Sequence, residues 1–136
     1  MKTTVLLLLS FLSFYATRAQ DIDLTGTWTM FEMTYVSDQG NQVMTEDQMK
    51  AEGAVSEYFF MEEGKFKVTS NMSGSGTMDT YEGTWKLSDE KLTLSLNIGD
   101  RLMDVVWNFE YKDEAMNLSR TSPDGSMTII NSFRRK

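Results

Sequence analysis

Apolar and polar residues alternate along most of the chain downstream of residue 20. The clearest example is the apolar series Leu92, Leu94, Leu96 and Ile98, in which a polar residue separates each pair. A period of two places the apolar side chains of an extended strand on one face and the polar side chains on the other. The pattern therefore predicts an all-β fold whose strands each turn one face toward a core.

The alternating runs predict about eight strands. They cover residues 24–36, 56–63, 65–72, 78–88, 91–98, 101–112, 115–121 and 126–135. Short turn-like connections, such as residues 99–100 and 122–125, separate these runs, so strands adjacent in sequence are expected to pair antiparallel. An up-and-down barrel and an open sandwich would both bury one apolar face of each strand. We favour the closed barrel because closure leaves no exposed strand edge.

The segment 37–55 interrupts the alternation. Within it, Thr45 and Gln48 have the spacing of a capping box, which satisfies backbone N–H groups at a helix N-terminus. Gly53 is suited to end such a helix because glycine readily adopts the left-handed conformation. One short helix is therefore expected in this first long loop, across one mouth of the barrel. It could act as a functional lid or simply decorate the surface.

The first 19 residues have the pattern of a secretory signal peptide. A basic residue precedes an apolar run at 5–15, and Thr17 and Ala19 are small residues suited to a cleavage site. The run is shorter than the roughly 20 residues of a membrane-spanning helix, which argues against a retained anchor. We therefore expect a signal peptide at 1–19, one barrel domain over 20–136, no membrane span after cleavage, and export to the periplasm or outside the cell.

The composition narrows the possible chemistry. The chain has no histidine and no cysteine, which excludes serine–histidine triads, cysteine nucleophiles, disulfides and the usual zinc sites. The net charge is −7, and loss of Lys2 and Arg18 with the signal peptide would leave 11 basic and 20 acidic residues, a net charge of −9. An acidic chain is a poor partner for nucleic acid. We expect no catalytic residue, no cofactor and no metal, because the acidic pairs fall in solvated turns.

The triplet Gly26-Thr27-Trp28 opens the first predicted strand, and the same three residue types recur at residues 83–85. Glycine permits a strand to bend or another backbone to approach closely, and tryptophan is large enough to plug the narrow end of a barrel. Gly26 and Trp28 are therefore predicted to close one end of the barrel.

These motifs also carry a resemblance to a known group. The segment Leu24 to Trp28 resembles the opening strand of the calycins, which include the lipocalins. Residues 81–87, followed by 92–94, are similar to the small secreted bacterial lipocalin-like domains. The resemblance implies an eight-stranded lipocalin-like barrel in which an arginine of the last strand packs across the first-strand tryptophan. Arg134 and Arg135 are both candidates for that cation–π contact with Trp28.

A barrel of about eight strands is just large enough to hold a small ligand. The side chains predicted to point inward are Phe59, Met61, Phe66, Val68, Tyr81, Met103, Trp107 and Phe109. From these we predict a cavity wall, in a binding protein for a small, mostly apolar ligand, that consists of Phe66, Tyr81, Met103, Trp107 and Phe109. The same side chains could instead simply fill the barrel.

The alternative function is a non-enzymatic envelope or secreted interaction or inhibitor module with a filled barrel. Its motivation is a set of acidic pairs at the connections, namely residues 46–47, 62–63, 89–90 and 113–114. Such charges could steer a basic protein partner, whose identity the sequence leaves unknown.

Overall fold

The computed structural model describes residues 22–73 and 75–136, so the predicted signal peptide at 1–19 lies outside the described residues. The described residues form nine β-strands and one α-helix. In chain order these are β1 (Gly26–Ser37), β2 (Gly40–Met44), α1 (Glu46–Glu52), β3 (Ser56–Phe60), β4 (Lys65–Ser70), β5 (Asp79–Ser88), β6 (Lys91–Ile98), β7 (Arg101–Lys112), β8 (Ala115–Thr121) and β9 (Met127–Arg135).

The strands form one closed antiparallel barrel. Each strand from β3 to β8 pairs with the next. β9 pairs back onto β1, from Trp28 with Arg135 to Ser37 with Met127. β2 and β3 share one edge of β1, since β2 pairs with its C-terminal half and β3 with its N-terminal end. The barrel therefore has eight strand positions, which confirms the up-and-down barrel and excludes the open sandwich.

β2 lies within the segment predicted to be a loop. Four of its five residues are exposed, so no buried face imposes an alternating pattern on its sequence. Its backbone pairing with β1, from Met33 with Met44 to Ser37 with Gly40, makes it a strand.

The predicted short helix is confirmed as α1. The Thr45 side chain accepts a hydrogen bond from the backbone N–H of Gln48, and the Gln48 side chain accepts one from the backbone N–H of Thr45 at 2.9 Å. Gly53 ends the helix in the left-handed conformation, with φ of 67°. Met49 is only 3% exposed and belongs to the core. The helix thus contributes one side chain, Met49, to the core.

One half of the barrel interior is filled by aromatic rings. The Tyr58 ring lies 4.5 Å from Phe133 and 5.2 Å from Phe66, measured between centroids. The Phe60 ring lies 5.1 Å from Phe66 and 5.4 Å from Trp85. These rings lie toward the end that holds the start of β1 and the end of β9, which we call the closed end.

Two backbone features set which side chains reach the interior. A β-bulge at Phe31 shifts the pairing of β1 with β9, so that Met30 and Met33 are both buried. In β5, a Cβ atom on Gly83 would lie 1.8 Å from the carbonyl oxygen of Ser95. Only glycine fits there, which explains the glycine of the second glycine–threonine–tryptophan triplet.

The inward assignment of Phe59 and Met61 is wrong. In β3 the buried residues are Ser56, Tyr58 and Phe60, so Phe59 faces outward, where the Lys67 ammonium lies 4.6 Å from its ring centroid. Met61, beyond the strand, is 40% exposed. Three consecutive aromatic residues give no alternation, and the sequence therefore left the phase of this strand undetermined.

Candidate functional site

The first-strand tryptophan plugs the closed end, as the sequence predicts. Trp28 is fully buried, and its indole Nε1 donates a hydrogen bond of 2.9 Å to the carbonyl oxygen of Leu24. The guanidinium carbon of Arg135 lies 4.5 Å from the Trp28 ring centroid. Arg135 also donates to the backbone carbonyl oxygens of Thr25 and Asp23, each at 2.7 Å. It is therefore Arg135 that seals this end.

Arg134, the other candidate, faces outward. Its guanidinium lies 4.1 Å from the ring centroid of Phe31 and 3.3 Å from the carboxylate of Glu46 at the start of α1. Gly26 lies beside the seal with φ of 131°, and a Cβ atom there would be 3.3 Å from Arg135 Nη1. Glycine at this position thus allows both the backbone conformation and the close approach of the arginine.

The five residues of the predicted cavity wall lie on inward series but at different depths. Phe66 and Phe109 are buried in the core, with Phe66 inside the aromatic packing of the closed half. Trp107 is buried closer to the opposite end of the barrel, and Tyr81 is partly buried. Met103 is 50% exposed, at the rim. Of these five side chains, Trp107 borders one of the clefts described below, and the wall as a whole stays a prediction.

Clefts open instead at the end opposite Trp28, which we call the open end. One cleft has a volume of about 500 Å³. It is lined by Met33, Tyr35, Met44, Glu52, Gly53, Ala54, Asn71, Met72 and Gly76. The C-terminal end of α1 thus borders this cleft, and methionine supplies three of its lining side chains.

A second cleft of about 250 Å³ lies beside the first. Its lining is Trp107, Arg120, Thr121, Ser122, Pro123, Met127 and Ile129. Because Tyr35 of the first cleft and Ile129 of the second are register partners on β1 and β9, the two clefts flank a single residue pair. Apolar and polar side chains both border the open end, with methionine, tyrosine, tryptophan and isoleucine among the apolar ones.

Clefts of about 480 and 610 Å³ also occur near the closed end. Charged side chains border both of them, including Glu114 and Arg134 in one and Glu62 and Lys65 in the other. Their linings combine these charged side chains with residues beside the seal, such as Arg135 in one and Gly26 in the other.

Three polar side chains lie among the apolar residues of the inward face. Arg120 follows Met116 and Leu118 on the inward series of β8, and Asn131 lies on the inward series of β9. The third is Tyr58, whose hydroxyl has its pKa raised to about 12 by burial, an effect that the positive charge of Arg120 opposes. Arg120 itself is exposed, and its guanidinium carbon lies 5.3 Å from the ring centroid of Trp107.

Sequence reasoning missed these three residues. The available signal was a polar residue that continues an apolar series of period two, as Arg120 does after Met116 and Leu118. Such a residue faces the core side of the sheet and needs either a partner or access to solvent.

Two acidic residues, Asp23 and Asp124, are held in local turn structure. Hydrogen bonds from Ser122 and Ser126 lower the pKa of the Asp124 carboxyl to about 2, which ties this residue to the β8–β9 turn. Thr25 lowers the pKa of the Asp23 carboxyl in the same way. Among the described residues, no three acidic side chains meet in a group that could hold a metal ion. No helix in the described ranges has the length and apolar character needed to cross a membrane.

Comparison with known proteins gives a consistent result. The family model described as a lipocalin-like domain matches residues 24–118. An uncharacterized protein from Bacteroides eggerthii is 19% identical with a TM-score of 0.53, over 84% of this chain and 100% of that one. A lipocalin-like protein from Bacteroides uniformis is 16% identical with a TM-score of 0.53, over 85% of this chain and 100% of that one. No curated protein matches the sequence.

Proposed function

Because this chain belongs to the lipocalin-like domain family, we propose that it binds a small, mostly apolar ligand at the open end of its barrel. The observation that carries this proposal is the difference between the two ends. Trp28 and Arg135 seal one end, whereas inward side chains at the other border clefts of about 500 and 250 Å³.

The lining of the open end suits this role. Ligand sites typically have volumes of roughly 300–1,000 Å³ and apolar walls with a few polar groups. Methionine adapts its unbranched, polarizable side chain to ligands of varied shape. Four methionines border the two clefts, namely Met33, Met44, Met72 and Met127. A ligand seated there would rest on the filled aromatic half and would not need a cavity along the whole barrel.

The proposal includes export and a non-catalytic role. The basic start and apolar run of residues 1–19 support secretion to the periplasm or outside the cell. The absence of histidine and cysteine from the sequence leaves few groups suited to catalysis at neutral pH, and the polar side chains at the open end are suited to orient a ligand.

Titration with the neutral fluorescent probe N-phenyl-1-naphthylamine tests the binding function. We expect saturable binding of one probe per chain. The variant Ile129→Glu should weaken binding by about tenfold or more, because it places a carboxylate in the cleft. Ile130→Glu is the matched control, since Ile130 is the next residue on β9 and faces the other side of the sheet.

Circular dichroism of both variants checks that the barrel is retained. Absence of saturable binding to the unmodified protein would refute the proposal. An equal loss of affinity in both variants would show that the probe binds elsewhere.

A further inference from the structure

Arg120 brings a positive charge to the apolar open end. Its guanidinium carbon lies 5.3 Å from the centroid of the Trp107 ring. Within the described part of the chain, no carboxylate forms an ion pair with it. A guanidinium that stacks on an indole face retains its N–H donors, and it binds a carboxylate through two parallel hydrogen bonds. Arg120 is therefore available to a ligand that carries an anionic group.

Asn131 supplies a second polar group that lacks a partner. The residue is 7% exposed, and its Oδ1 atom is buried and accepts no hydrogen bond from any described residue. It lies one inward position deeper than Ile129, with Met33 of β1 and Leu118 of β8 as register partners. Buried polar atoms in folded proteins are nearly always hydrogen-bonded. A ligand O–H or N–H group would provide the donor that Oδ1 lacks.

The two groups are close enough to act on one molecule. Asn131 pairs directly with Leu118, and Arg120 is the next inward residue on the same strand, so Arg120 and Asn131 are diagonal neighbours across β8 and β9. The Cα atoms of such neighbours are about 7–8 Å apart. A single ligand seated on the inward face of β8 and β9 can therefore contact both residues.

We propose that the open end selects organic acids that have an apolar body and an O–H or N–H group near the carboxylate. Arg120 binds the carboxylate, Asn131 Oδ1 accepts from the donor, and the apolar body packs against Trp107 and the methionine-lined cleft. This inference rests on the proposed binding function and names the class of ligand. The net charge, −7 for the whole chain and −9 after loss of residues 1–19, repels anions at long range. A preference for an acid therefore has to come from a local cation.

Displacement of bound N-phenyl-1-naphthylamine by three matched competitors tests this selectivity. The competitors are 1-decanol, decanoate and 3-hydroxydecanoate, which share one chain length and differ in the anion and in the added hydroxyl. We expect decanoate to bind at least tenfold more tightly than 1-decanol, because a charge-assisted hydrogen bond contributes at least that much to affinity. We expect 3-hydroxydecanoate to bind several-fold more tightly than decanoate.

Variants assign each preference to its residue. With each affinity expressed relative to the probe affinity of the same variant, Arg120→Gln should abolish the advantage of both acids over 1-decanol. Arg120→Lys should restore part of that advantage. Arg134→Gln is the matched control, because it removes the same charge from an outward-facing position near the closed end. Asn131→Leu should remove only the advantage of the hydroxylated acid.

The outcomes separate this inference from the binding function itself. Saturable probe binding together with equal affinities for decanoate and 1-decanol would overturn the selectivity for acids while the binding function stands. Failure of the probe to bind would instead refute the binding function. Loss of acid preference in Arg134→Gln would assign the effect to net charge and not to Arg120, and retention of the hydroxyl preference in Asn131→Leu would exclude Asn131.

Discussion

At the scale of single residues, the two ends of the barrel place opposite demands on their side chains. At the closed end, the indole N–H of Trp28 and the Arg135 guanidinium both donate to backbone carbonyl oxygens. In the open half, Asn131 Oδ1 is buried without a hydrogen-bond partner among the described residues. The first arrangement maximises stability, and the second sacrifices some stability at a position that a ligand can satisfy.

Truncation of the plug should destabilise the protein strongly. Trp28→Ala removes a fully buried indole that also packs edge-on against Tyr111, with centroids 6.2 Å apart. We expect the free energy of unfolding to fall by about 3–5 kcal/mol, as for other large core truncations. Urea unfolding followed by fluorescence of the remaining tryptophans measures the change. Unaltered stability would contradict the assignment of Trp28 to the seal.

Replacement of the unpartnered Asn131 amide should instead raise the free energy of unfolding. Asn131→Leu exchanges an unsatisfied buried polar group for an apolar one, which is expected to raise the free energy of unfolding by about 1–3 kcal/mol in the absence of ligand. Thermal unfolding of the ligand-free protein provides the measurement. A loss of stability would mean that the amide is partnered in the folded protein.

At the scale of secondary-structure elements, local sequence signals account for the strand hairpins and for α1. The alternation over 91–98, 101–112 and 115–121 predicts β6, β7 and β8 with their observed bounds. The capping box at Thr45 and the stop at Gly53 predict α1. β2 was not predictable in this way, because it is held by backbone pairing and presents no buried face.

We expect the N-terminal cap of α1 to contribute measurably to the free energy of unfolding. Thr45→Ala removes the side chain that accepts from the Gln48 N–H, and should lower the free energy of unfolding by about 0.5–2 kcal/mol. Because the helix carries the buried Met49, fraying should be visible as faster amide hydrogen exchange over residues 46–52. Unchanged exchange in this segment would show that packing alone holds the helix.

The β8–β9 turn should titrate at unusually low pH. Hydrogen bonds from Ser122 and Ser126 hold the pKa of Asp124 at about 2, below its ordinary value of 3.8. Because these bonds lower the pKa only in the folded protein, they stabilise the fold at pH above 3.8. This stabilisation is lost as the pH falls through about 2. Carboxyl NMR should give this midpoint, and Ser122→Ala should move it upward. A midpoint near 3.8 in the unmodified protein would contradict the turn geometry.

At the scale of the whole molecule, the sequence predicts the closed barrel and its tryptophan plug but not the depth of each side chain. Alternation assigns a residue to a face, and this suffices for Phe66, Trp107 and Phe109. It does not reveal that Met103 lies at the rim while Phe66 lies in the filled half, because depth depends on strand stagger. The choice of Arg135 over Arg134 likewise depends on the register of β9 with β1.

The candidate site was harder to predict than the fold, since it depends on departures from the dominant pattern. Arg120 and Asn131 are polar residues on apolar series, and no motif marks them. The predicted cavity wall was drawn from apolar residues alone and therefore emphasised packing residues such as Phe66 and Phe109.

The central claim is that the ligand occupies the open end and not the filled half. The methionine methyl groups report on both regions, so carbon–proton NMR of methyl-labelled methionine during titration with N-phenyl-1-naphthylamine tests this claim most directly. We predict that the signals of Met33, Met44, Met72 and Met127 shift to saturation, while those of the buried Met30 and Met116 stay in place. The largest shifts at Met30 and Met116, or equal shifts throughout, would contradict the account.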